Sequence, residues 1–307
     1  MPDSILSVRG LTKHYGHAAA LDHVNVTIEP GQIYGLVGKN GAGKTTLIRM
    51  ITAQSIPDAG EVSLFGETTP HGLNQMRRRT GAVVETPSFF PYLDAWQNLE
   101  FYRLQRGIPG REIIGEALEE VGLADTGRKK FKNFSLGMKQ RLGLALAIMG
   151  HPDFLILDEP INGLDPMGIV QFRNILLKLN HEKGITILIS SHILSELSNL
   201  ATHYGFIDKG RMVEQLSMDE LQDRCRECLE LTVDDAAKTA AILEEKLGCR
   251  NYEILPQNRV RVYAYLDAPQ KVSHTLIESG IELSAINVRR ANLEDYFISL
   301  VGGEDNA

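Results

Sequence analysis

One stretch near the start of the chain constrains it more than any other: Gly35 to Thr46, reading Gly-Leu-Val-Gly-Lys-Asn-Gly-Ala-Gly-Lys-Thr-Thr. Ile33, Tyr34, Leu36 and Val37 make an apolar run of strand length, and the pattern from Thr45 to Thr52, apolar at Leu47, Ile48 and Met50, is helical. Between them, Gly38 to Thr45 has the G-x-x-x-x-G-K-T spacing of a phosphate-binding loop. Chemistry explains the residue types. Glycines let successive backbone N–H groups face one concavity, and the helix adds its unpaired N–H groups and positive dipole end. Lys44 can then reach the outer phosphates, and Thr45 can offer its hydroxyl to Mg2+. Gly38, Asn40, Gly41, Gly43, Lys44, Thr45 and Thr46 are therefore expected to hold a nucleotide.

A chain of 307 residues can bury a full core, and its length suggests two domains or one large and one small. The net charge of −7, with no basic arm and only Arg77-Arg78-Arg79 as a cluster, argues against nucleic acid as a partner. No apolar run approaches the roughly 18 to 20 residues that span a bilayer, and Met1-Pro2-Asp3-Ser4 does not open a signal peptide. Three cysteines do not make a disulfide framework, which points to the cytosol. Cys225 and Cys228 have C-x-x-C spacing, but no second Cys/His pair lies nearby to complete a zinc site.

A second apolar strand, Phe154 to Leu157, ends in Asp158-Glu159. Asp158 is expected to hold Mg2+ with Thr45, and Glu159 to act as general base on the attacking water. Ala82-Val83-Val84 runs into Glu85, and Ile185 to Ile189 into Ser190-Ser191-His192. Ser135 is placed to cap a long helix. Strands alternate with helices or loops, and each functional group falls at the C-terminal end of a strand. That is where ligands bind in an open α/β sheet.

Taken in order, these motifs resemble the nucleotide-binding subunit of an ATP-binding cassette (ABC) transporter. The resemblance runs from Tyr15 to His192. It implies that Tyr15 stacks on adenine and that His192 contacts the γ-phosphate of ATP. It implies further that Ser135 and Gly137, in Leu136- and Met138-altered form of the family's Leu-Ser-Gly-Gly-Gln, cover ATP bound to a second copy in a head-to-tail dimer. Asp165 would stand at that dimer interface. Glu85 occupies the place of a glutamine that touches the metal and the water, so the resemblance implies a catalytic and metal-contacting role for Glu85, whose carboxylate can bind Mg2+ or accept from water. A glutamate there resembles a subgroup that exports, or protects against, bacitracin-like and lantibiotic-type peptides. The helical insertion, about 87–150, would contact a membrane permease, leaving the subunit cytoplasmic and peripheral on the inner face of the membrane. A soluble ABC-type ATPase with a non-transport role, on ribosomes, on DNA or in sensing, is the alternative.

The expected architecture is α/β: a P-loop NTPase core over 1–216, with an N-terminal β subdomain and the helical insertion. A small α+β domain over 217–307 follows, in which the order β-α-β-β-α-β fits a ferredoxin-like unit. A last helix is expected from Leu293 to Leu300, where Leu293 to Phe297 looks like the tail of exporter-type subunits.

Overall fold

Alternating apolar residues pair β1 (Leu6–Tyr15) with β2 (Ala18–Ile28) as an antiparallel hairpin, Leu6 opposite Ile28 and Tyr15 opposite Ala18. The apolar pattern predicts strands only at 5–9 and 25–28. The observed hairpin runs on through Lys13, His14 and His23, because ladder hydrogen bonds extend past the point where apolar residues stop. In the computed structural model, residues 4–85, 88–289, 296 and 300 are described.

β3 (Ile33–Val37) is buried along its whole length and leads through the glycine-rich loop into α1 (Lys44–Ile51). β4 (Ala59–Leu64) returns to pair with β1, giving a three-stranded sheet in the order β2-β1-β4. α2 (Pro70–Met76) precedes β5 (Thr80–Val83). The insertion then supplies α3 (Ala95–Arg106), α4 (Glu112–Glu120) and α5 (Leu136–Ile148). β6 (Phe154–Leu157), α6 (Pro166–Lys183), β7 (Thr186–Ser191), the short α7 (Leu194–Leu197), β8 (His203–Asp208) and β9 (Arg211–Ser217) complete the core.

The main sheet has the order β5-β6-β7-β3-β8-β9, parallel except for β9. Buried on both faces, its central strands read as continuous apolar runs. α1 lies in the core between the two sheets: Leu47, Ile48, Met50 and Ile51 pack with Leu6, Val8 and Val26 on one side and Leu36, Ile156 and Leu188 on the other. Each such Leu or Ile contributes about 1.5–3 kcal/mol by burial. The helix that carries Lys44 and Thr45 is therefore held firmly along its length.

The chain divides into two compact units, Met1–Met218 and Asp219–Ala307. After α8 (Met218–Arg224), the second unit contains β10 (Cys228–Val233), α9 (Ala236–Leu247), β11 (Tyr252–Leu255), β12 (Arg259–Val262), α10 (Pro269–Glu278) and β13 (Leu283–Arg289). The sheet order is β11-β12-β10-β13, all antiparallel, over a separate core of Leu229, Leu231, Leu243, Val260, Val262, Val272 and Leu276. The sequence predicts a strand through Leu266, but β12 stops at Val262, and Tyr265 takes a left-handed φ of 60°. The cysteines are free, Cys228 buried and Cys225 partly so, and burial pushes both thiols up. A redox pair needs a lowered thiol. The expected helix from Leu293 to Leu300, with its Leu293–Phe297 motif, falls outside the described residues except at Tyr296 and Leu300.

Candidate active site

Strand register brings the site together. Val83 lies level with Leu157, Leu157 with Ile189, and Val37 with Ser191. Glu85, Asp158-Glu159, His192 and Gly38 consequently leave the sheet along one edge, the line of C-terminal ends of its parallel strands. Gly38 is required there, since a Cβ would collide with the Ile207 carbonyl and side chain. Gly43, at a φ of 113°, is the N-cap of α1 and leaves no room for a side chain beside Leu21.

Lys44 is buried, at 4% exposure, and its Nζ donates to Gly38 O at 2.6 Å and Lys39 O at 3.2 Å. It also lies 3.1 Å from Oε1 of Glu159. Thr45 Oγ1 donates to Asp158 Oδ2 at 2.8 Å, and Ser190 Oγ donates to Asp158 Oδ1 at 2.7 Å. His192 Nδ1 is 2.9 Å from Glu159 Oε2, and Asn162 Nδ2 donates to the same oxygen at 3.4 Å. Glu159 has a φ of 45°, in the left-handed region that a residue with a Cβ enters only at a cost of about 1–3 kcal/mol. Its backbone N–H is held by Ser190 Oγ at 2.9 Å.

The arrangement fits a nucleotide. The first turn of α1 has no side-chain cap, whereas Asp94, Ser135, Asp165 and Asp235 close the first turns of α3, α5, α6 and α9. An uncapped first turn beside a glycine loop leaves N–H groups free for phosphate oxygens. Asn40 and Gly41 lie exposed in that loop, Gly41 at a φ of 82°, and Thr46 is half-buried in the first turn. The arrangement also fits Mg2+. Thr45 Oγ1 and Asp158 Oδ2 are hard oxygen donors side by side, and Mg2+ is usually held by one or two carboxylates plus substrate phosphates and water. Among the described residues no cluster of three or more His, Cys, Asp or Glu is arranged to hold a metal by itself.

The remaining expected residues stand apart from this network. Tyr15 ends β1 about half exposed, with its hydroxyl 3.4 Å from Ser55 Oγ and the Lys13 ammonium 5.7 Å above its ring. Ser135 caps α5 by accepting from Met138 N–H at 3.3 Å, and Asp165 caps α6 by accepting from Gly168 N–H at 3.2 Å. Ser135, Gly137 and Asp165 line a separate cavity of about 340 Å3 that includes no phosphate-loop residue. Glu85 is ion-paired with Arg49. No local spacing assigns a role to Ser190 or Arg49. The hydroxyl residues that follow the apolar run of β7 were the only available signal for Ser190.

The chain is similar to known proteins over most of its length. The family model described as ABC transporter matches residues 21–162. The chain is 41% identical over 300 residues to the bacitracin transport ATP-binding protein BcrA of Bacillus licheniformis, covering 98% of each. It is 39% identical over 216 residues to the lantibiotic transport ATP-binding protein SrtF of Streptococcus pyogenes, covering 70% of this chain and 92% of that one. The structure of cbiO1 from Clostridium perfringens, part of the ABC transporter complex cbiONQ, aligns with a TM-score of 0.65 at 26% identity, over 80% of this chain and 96% of that one.

Proposed function

Starting from a chain that belongs to the ABC transporter family of ATP-binding proteins, we propose that this ATPase powers a separate membrane permease which exports, or gives resistance to, peptide antibiotics of the bacitracin and lantibiotic type. The observation that carries the reading is the pair of contacts joining the phosphate loop to the end of β6: Thr45 with Asp158, and Lys44 with Glu159. Residues that bind phosphate thus touch residues that hold a metal and a base. The relatives' transport of bacitracin and lantibiotics supports the substrate class.

Lys44 binds the outer phosphates, and the N–H groups of the loop and of the first turn of α1 take up the remaining oxygens. As phosphate oxygens draw Lys44 toward them, Oε1 of Glu159 is freed to accept a proton from water. His192, 2.9 Å from the other oxygen, keeps the carboxylate aimed. Water adds to the γ-phosphorus, its proton passes to Glu159, and ADP leaves with phosphate as the other product. Mg2+, held by Thr45 and Asp158, supplies neutralising charge on the phosphates when bound. Tyr15 offers an exposed ring for the base to stack on.

Ser135, Gly137 and Asp165 serve a second copy. They lie around their own cavity, so ATP held on one chain is covered by the capped end of α5 from another. For the permease, the supporting feature is a groove of about 990 Å3 between the core and the insertion, lined by Arg77, Arg78, Arg106, Ile108 and Pro109. Phe90, Tyr92, Trp96, Phe101 and Leu104 are exposed on the same insertion. Large exposed apolar residues in one region mark a protein partner. No helix among the described residues is long and apolar enough to cross a membrane.

Glu159→Gln tests the assignment. ATP affinity should be kept while turnover falls about 10²–10⁴-fold, and loss of affinity would remove Glu159 as the base. In the native host, deleting the gene should raise sensitivity to a bacitracin-type peptide. Unaltered sensitivity to this class would refute the proposed cargo.

A further inference from the structure

Arg49 sits one helical turn beyond Thr45 on α1, and residues four apart on a helix share a face. Its Nη2 is ion-paired with Oε1 of Glu85, two residues past the end of β5. Glu85 leaves the sheet at the same edge as Asp158, because Val83 is level with Leu157 and Asp158 N–H donates to Val83 O at 2.9 Å. Three carboxylates therefore stand at this edge, each with its own partners. Asp158 takes the hydroxyls of Thr45 and Ser190, Glu159 takes Lys44 and His192, and Glu85 takes Arg49. Glu85 also holds a left-handed φ of 61°, so its backbone is constrained where the side chain must choose a direction.

We propose that Arg49 is the positioning residue of Glu85. It holds this carboxylate against α1, one turn past Thr45, in competition with a metal ion at the Thr45 and Asp158 oxygens. The proposal rests on the nucleotide and Mg2+ reading given above. The affinity of a site for a hard cation rises with the number of charged ligands. A second carboxylate beside Asp158 would tighten the metal and delay its release with product. The two side chains are 38% and 63% exposed, and an exposed pair is a weak, screened clamp. Such a clamp can open and close within a catalytic cycle.

The test is a titration of the full-length protein with Mn2+ in the presence of ADP, free Mn2+ being read by electron paramagnetic resonance. Arg49→Gln should bind Mn2+ about two- to fivefold more tightly than the wild type, the factor an exposed ion pair represents. Arg49→Ala, equally unable to pair, should give the same tightening and serves if the first variant does not fold. In a Glu85→Gln background neither substitution should change Mn2+ affinity, and Arg49→Lys, which keeps a cation, should stay close to the wild type. Unchanged or weaker binding in the single variants overturns the proposal, as does an equal effect in both backgrounds. A wild-type chain that binds no ADP, read by equilibrium dialysis of labelled ADP alongside the titration, would overturn the nucleotide reading instead, and the two readouts separate the two failures.

Discussion

Ser190 is wholly buried at the end of β7, and its hydroxyl serves two partners, donating to Asp158 Oδ1 and accepting from the Glu159 N–H. Removing it leaves a buried carboxylate oxygen and a part-buried backbone N–H each short of a partner. Ser190→Ala is predicted to destabilise the protein by about 1–3 kcal/mol, seen as a lower urea midpoint, and to slow turnover by misaligning both carboxylates. A variant with wild-type midpoint and rate would show that water replaces the hydroxyl fully. Lys44 and Thr45 could be read from the sequence because their chemistry needs only a local spacing. The role of Ser190 could not, since it arises from the pairing of β7 with β6 and reaches a residue 32 positions away. The Arg49–Glu85 pair was hidden for the same reason, 36 positions apart.

Among the elements, the insertion is pinned by charge as much as by apolar packing. Asp94 and Gln97 form a capping box on α3, and Asn98 ties the backbone of Phe90 to the helix. Glu100 is nearly buried between Arg103, at 2.5 Å, and Arg111, at 3.0 Å. The hydrogen bond from Arg103 holds the Glu100 carboxyl below its usual range; burial opposes this and Arg111 reinforces it. A carboxyl lowered by folding contributes stability above its unfolded pKa, and that contribution is lost as pH falls through the folded value. Wild type should therefore exceed Glu100→Gln in stability at neutral pH. The gap should close below the ordinary glutamate value of 4.5, and urea midpoints across that range measure it. A gap independent of pH would place the effect in packing. Helices of the insertion were legible from apolar spacing and caps, as were the alternating strands of the second unit. The outer half of the β1–β2 hairpin was not, because Lys13, His14 and His23 carry no apolar period.

At the scale of the molecule, the two halves of the proposed composite site lie in different places on one chain. The phosphate loop lies at the edge of the main sheet, and Ser135 lies over a cavity shared with Gly163, Leu164 and Asp165. In the Glu159→Gln background, ATP should produce a dimer by light scattering, and adding Ser135→Ala should abolish it while each monomer still binds ATP. The serine also caps α5, a loss of about 0.5–2 kcal/mol. Ser135→Asp separates the two roles, since aspartate keeps the cap but repels phosphate and should also prevent the dimer. Dimers that persist in both variants would remove Ser135 from the nucleotide interface.

The backbone of Glu159 has a consequence for how such a chain drifts. At a φ of 45° the backbone taken alone would favour glycine or asparagine there over glutamate. Glycine there would relax the backbone but would strip the buried Lys44 ammonium of the carboxylate 3.1 Å away, so the change cuts both ways for folding. A copy of this gene relieved of its work would therefore meet a trade at this position, a relaxed backbone against a stranded cation.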